Sequence, residues 1–131
     1  NIEKGAESMY VFNNQVYVGS ADYGVSKMTV INVSNDAIDQ TVEVGSNPTI
    51  IGVDINNRLW VYAGGHIKRI NTISKAVEST VTLTSTKSPS RFAFSTDKSI
   101  LYFVLSAYDT NWNEVGAVYS TSVNASEIKE D

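Results

Sequence analysis

The stretch Asp109-Thr110-Asn111-Trp112-Asn113-Glu114 carries the residue types and spacing best able to hold an ion or a ligand. Its Asp-x-Asn-x-Asn opening matches the first ligand positions of an EF-hand calcium loop, where carboxylate and amide oxygens converge on a hard cation. The match ends there. Glu114 stands where such a loop needs glycine for its sharp turn, and Ser120 stands where a bidentate glutamate closes the shell. No calcium is expected, and capping of a hairpin accounts for the pattern.

The single histidine, His66, follows Gly64-Gly65. A histidine cage for zinc, or a pair of histidines sharing acid and base roles, is therefore excluded within this chain. A lone histidine at a turn is ordinarily a solvated side chain. There is no cysteine, so neither a disulfide framework nor a thiolate metal site is available. No Gly-x-Ser-x-Gly, phosphate loop or dinucleotide fingerprint occurs. The expectation is no catalytic residue, no metal and no cofactor.

The net charge is −4 and the pI about 4.9, so there is no basic stripe to neutralise phosphates and nucleic acid is not an expected partner. No apolar run reaches the roughly 20 residues of a membrane helix. The start, Asn1-Ile2-Glu3-Lys4-Gly5, has neither an initiator methionine nor an apolar signal core, which suggests a mature or truncated chain.

The elements that must carry these residues are legible through a repeat. Asn13-Asn14-Gln15-Val16-Tyr17-Val18 matches Asn56-Asn57-Arg58-Leu59-Trp60-Val61 at an offset of 43, and Ile31-Asn32, Ala37 and Thr41-Val42 match Ile70-Asn71, Ala76 and Thr80-Val81 at 39. Pro48 matches Pro89 at 41, and Trp60 matches Tyr102 at 42. A period of about 40 residues holding four short strands is that of a β-propeller blade. The expected fold is all-β, a propeller fragment of just under three four-stranded antiparallel blades in one partial domain. Blade one covers about 6–44, blade two about 45–84, and blade three about 85–131, with its last strand barely begun at Ile128. That scheme predicts eleven strands and almost no helix. "RLWVYA" and "ILYFVL" are nearly continuous apolar runs, as strands covered on both faces require. Tyr17, Trp60 and Tyr102 hold one equivalent position, read as packing between blades instead of an aromatic binding row.

The quoted residues also resemble a known family. Tyr17-Val18, Val30-Ile31-Asn32, Thr41-Val42-Glu43-Val44 and Gly45-Ser46-Asn47-Pro48 are similar to the YVTN repeat of YncE-like β-propellers. "SPSRFAFSTDKSILYFV…VYSTSVNASEI" resembles a blade of the secreted or lipid-anchored members from Bacteroidetes. The resemblance implies a periplasmic, cell-surface or secreted protein. It does not specify activity, because propellers host binding and enzymatic chemistry alike. Propellers close with roughly four to eight blades, so three blades imply a fragment of a longer ring, or a unit that self-associates through its exposed blade faces. The leading expectation is a non-enzymatic binding or scaffold propeller whose ligand is a carbohydrate, peptide or protein. The alternative is a lyase- or lactonase-type propeller with its catalytic groups mostly in other blades.

Propeller topology places the loops after each blade's second strand on one face. The candidate binding residues there are Tyr23, His66, Tyr108, Asn111, Trp112 and Asn113. The turn from Ala107 to Gly116 is about nine residues longer than its counterpart in blade two, and it is expected to be an extended loop on a rigid scaffold.

Overall fold

The computed structural model describes residues 2 and 4–130. Among them there is no helix and there are twelve strands. β1 (Ala6–Phe12), β2 (Gln15–Ser20), β3 (Lys27–Asn32) and β4 (Ala37–Glu43) form a first sheet in that order. β5 (Thr49–Val53), β6 (Arg58–Ala63), β7 (His66–Asn71) and β8 (Val77–Thr84) form a second, and β9 (Ser88–Phe94), β10 (Ile100–Tyr108) and β11 (Glu114–Ser122) a third. Every pairing among these eleven strands is antiparallel.

Alternation along β6 explains why its sequence is apolar throughout. Leu59, Val61 and Ala63 pack toward the first sheet, with Tyr17, Met28 and Val30. Trp60 packs the other way, in a core with Leu101, Phe103 and Leu105 of the third sheet. Successive side chains of a strand point to opposite faces, and here both faces are covered. Trp60 meets Phe94 edge-on, with ring centroids 6.0 Å apart.

The two-residue hairpin turns follow local backbone chemistry. Asn13 and Asn14 both have positive φ (46° and 60°), as do Gly64 and Gly65 (58° and 79°), which suits the primed turns that match strand twist. The turn at Asn56-Asn57 is different. Only Asn57 has positive φ there, because Asp54 opens a longer, four-residue connection. The sequence match to Asn13-Asn14 is therefore not a match of turn type.

The structure differs from the sequence reading in two further places. The stretch from Ala107 to Gly116 is not a long loop. β10 and β11 pair residue for residue from Ile100↔Ser122 to Tyr108↔Glu114, so the extra residues lengthen the ladder and only Asp109–Asn113 turns. Gly116 sits inside that ladder, where a Cβ would stand 2.6 Å from the Leu105 carbonyl oxygen.

The strand containing Ile128 also does not complete the third sheet. It forms a twelfth strand, β12 (Glu127–Lys129), parallel to β8 at the edge of the second sheet. After β11 the chain reverses through Ser122–Ser126 and so runs in the direction of β8. Beside β8, Ile128 reaches 3% exposure in the core with Phe103, whereas β11 is exposed along most of its length and offers it no such pocket. Arg58 Nη2 donates to the Val123 carbonyl at 2.8 Å, Arg69 to the Ala125 carbonyl, and Lys87 and Ser85 hold Glu130. The expected limit of the third unit at Asp131 lies outside the described residues.

Candidate functional site

The β10–β11 hairpin owes its shape to one carboxylate. Asp109 Oδ1 accepts from the backbone N–H groups of Asn111 (2.8 Å) and Asn113 (2.9 Å), and Oδ2 from the Asn113 amide (3.3 Å). Those hydrogen bonds, the Asn113 backbone bond foremost, hold its carboxyl below the usual aspartate range. The Asp-x-Asn-x-Asn spacing thus serves a turn, with the carboxylate engaged by the chain itself.

The turn leaves its fourth residue, Trp112, at φ 62°. A bulky side chain in this left-handed region is strained, at a cost of order 1 kcal/mol or more. Asn and Gly are the usual occupants. Trp112 is nonetheless 84% exposed, and its ring lies 6.4 Å from that of Tyr108, itself 67% exposed. Neither aromatic contributes to a core. The hairpin carries two exposed aromatic rings, tilted 48° to each other, at the end of a fully paired ladder.

Beside these rings the outer face of the third sheet forms a cleft of about 410 Å³ lined by Ser88, Ser90, Ser106, Arg91, Tyr108 and Glu114, among others. A β-bulge between the Tyr102 and Val104 pairings re-aims Arg91, whose φ is 51°. Its guanidinium meets both Glu114 oxygens, at 3.3 and 3.4 Å. The Ser106 hydroxyl, then Arg91, holds the Glu114 carboxyl below its ordinary range. Arg91, Ser106 and Glu114 were not among the candidates read from the sequence. Serines at alternate positions 88 and 90, and again at 106, were the available signal.

Among the other candidates, Asn111 and Asn113 belong to the turn itself. Tyr23 is fully exposed in the β2–β3 loop, and His66 is exposed as the first residue of β7, paired with Ala63. The β2–β3, β4–β5 and β6–β7 connections do meet. Asn47 N–H donates to the Val25 carbonyl at 3.0 Å, and Gly64 N–H to the Ser46 carbonyl at 2.7 Å. Among the described residues, no hydrogen bond or aromatic contact joins Tyr23 or His66 to the Tyr108–Trp112 pair. Nor is there any group of three or more His, Cys, Asp or Glu side chains placed to hold a metal. No helix of the described residues is long and apolar enough to cross a membrane.

No family model and no curated protein matches the sequence. A solved structure does: a chain of Kuenenia stuttgartiensis hydrazine synthase superposes with a TM-score of 0.73 at 18% identity, over 93% of this chain and 35% of that one. At that identity the likeness is one of fold. This chain spans about a third of that chain's length.

Proposed function

We propose that the three sheets are successive blades of a larger β-propeller of the YncE-like kind, serving as a non-enzymatic binding scaffold at or beyond the cell envelope. Aromatic exposure along the stack supports the blade reading. Tyr17 faces the second sheet and Trp60 the third, and both are fully buried. Tyr102, at the equivalent place in the third sheet, faces outward and is 42% exposed. Its strand has the apolar run of a strand covered on both faces, so the stack calls for a further sheet there. The outer face of the first sheet has the same want, with Met9 at 68% and Val11 at 63% exposure. The envelope placement rests on the resemblance of the repeat.

The observation that carries a binding role is Trp112: a strained, solvent-exposed aromatic, beside Tyr108 at the end of a fully paired hairpin. Exposed aromatic surface of this kind marks contact sites for partners or ligands. The test is retention of the chain on arrays of immobilised oligosaccharides and peptides, compared with Trp112→Asn. The wild type is expected to bind one class, and the variant to lose that binding at an unchanged or raised melting temperature. Binding that survives the substitution, or no binding to either class, contradicts the proposal.

A further inference from the structure

We infer that the cleft beside the hairpin binds a neutral, polyhydroxylated ligand, an uncharged oligosaccharide, with Tyr108 and Trp112 as the stacking rings. The inference rests on the binding role proposed for the hairpin and assigns it a ligand class. Charge decides first. The cleft holds one cation and one anion, and Arg91 and Glu114 face each other at 3.3–3.4 Å, so their fields cancel for an incoming ion. Neither a phosphate nor a basic peptide finds an unpaired counter-charge there.

The hydrogen-bonding inventory decides next. Glu114 offers carboxylate oxygens as acceptors, Arg91 offers N–H donors, the hydroxyls of Ser88 and Ser90 can do either, and that of Ser106, which donates to Glu114, can still accept. Vicinal hydroxyls of a sugar ring are donors and acceptors at once and suit such a mixed set. The apolar C–H face of a sugar needs a flat, exposed ring, and Tyr108 borders the cleft with Trp112 at 6.4 Å. A cleft of about 410 Å³ lies within the range of small-molecule sites, roughly 300–1,000 Å³. The placement is compatible with a further blade. Such a blade would cover Tyr102, Val104 and Val118 and border the cleft, whose Ser90 pairs with Val104 while Ser88, Ser106, Tyr108 and Glu114 reach to the hairpin end of the same face.

The test uses the 131-residue chain. Trp60 is fully buried and Trp112 is exposed, so a change in tryptophan emission that also reduces quenching by iodide reports on the tip. Titration with neutral linear hexasaccharides (maltohexaose, cellohexaose, xylohexaose) is compared with an acidic oligogalacturonate. The expected result is saturable protection of Trp112 by at least one neutral sugar. Tyr108→Ala and the isosteric Glu114→Gln should each weaken it by about tenfold, with melting temperatures unchanged, and the acidic sugar should bind about tenfold more weakly. An acidic sugar that binds as well as the neutral ones, or full affinity in both variants, overturns the inference. Retention on immobilised peptides with no response to any sugar also overturns it, while leaving the binding role of the hairpin standing. No response to sugar or peptide overturns both.

Discussion

Two turns in this chain are built alike and used differently. In Asp54–Arg58, Asp54 Oδ1 accepts from the backbone of Asn56 (2.9 Å) and Arg58 (3.0 Å). In Asp109–Asn113, Asp109 Oδ1 accepts from Asn111 (2.8 Å) and Asn113 (2.9 Å). Each aspartate carbonyl accepts from the fourth residue of its turn, and that residue has φ 60° (Asn57) or 62° (Trp112). The difference lies in what surrounds the scaffold. Asp54 is buried, and its Oδ2 takes the Arg58 guanidinium at 2.9 Å and the Trp60 indole N–H at 2.8 Å. Asp109 stands at an exposed tip and spends its Oδ2 on its own turn. In the first turn the left-handed position carries an asparagine suited to it, and in the second a tryptophan that is not. One local motif makes a core anchor in one sheet and an exposed aromatic tip in the other.

The largest effect that separates the two turns is stability. Asp54→Ala removes an acceptor shared by two backbone N–H groups, a guanidinium and an indole in a buried site. A loss of about 3–5 kcal/mol is expected in denaturant unfolding. Asp109→Ala breaks the same turn in water and should cost a small fraction of that. Equal losses would dissolve the contrast.

The uncovered faces give the next effect. With Tyr102 and Val118 exposed at one end of the stack and Met9 and Val11 at the other, the isolated chain should self-associate in light scattering. The change Val118→Lys on the open β11 edge should shift it toward monomer. A wild type that is monomeric at high concentration counts against further blades.

Acid provides a finer separation. The Asp109 carboxyl titrates below its unfolded value because its backbone hydrogen bonds favour the charged form. The folded state therefore binds fewer protons. Its contribution is present above the unfolded value and is lost as pH falls through the folded one, from about pH 4 downward. In melting curves between pH 2 and 5, Asp109→Asn should keep the turn and flatten the acid decline. A decline as steep as the wild type's would assign the sensitivity to other carboxylates with depressed values, such as Asp97 and Glu130.

Much of the fold was legible because the repeat fixes which strands are neighbours and β6 announces cover on both faces. The hairpin extension was not, because Asp-Thr-Asn-Trp-Asn and an interior Gly116 read as turn chemistry. Only a paired β10–β11 ladder makes that glycine a site of close approach. The place of β12 was hidden for another reason. It is set by side chains distant in sequence, Arg58, Arg69 and Lys87, gripping the chain after β11. The aromatic pair was read from residue type alone, while the Arg91–Glu114 contact needed a bulge that no local signal marks.

Unfolding of Trp112→Asn measures directly whether Trp112 stands exposed or packs on its own sheet. An asparagine suits the left-handed position, as Asn57 shows, and nothing in the core loses a partner. The variant should be as stable as the wild type or more so, by up to about 1 kcal/mol. A loss of stability greater than about 1 kcal/mol would mean that Trp112 folds back as a lid on its own sheet, contradicting its exposed place at the tip.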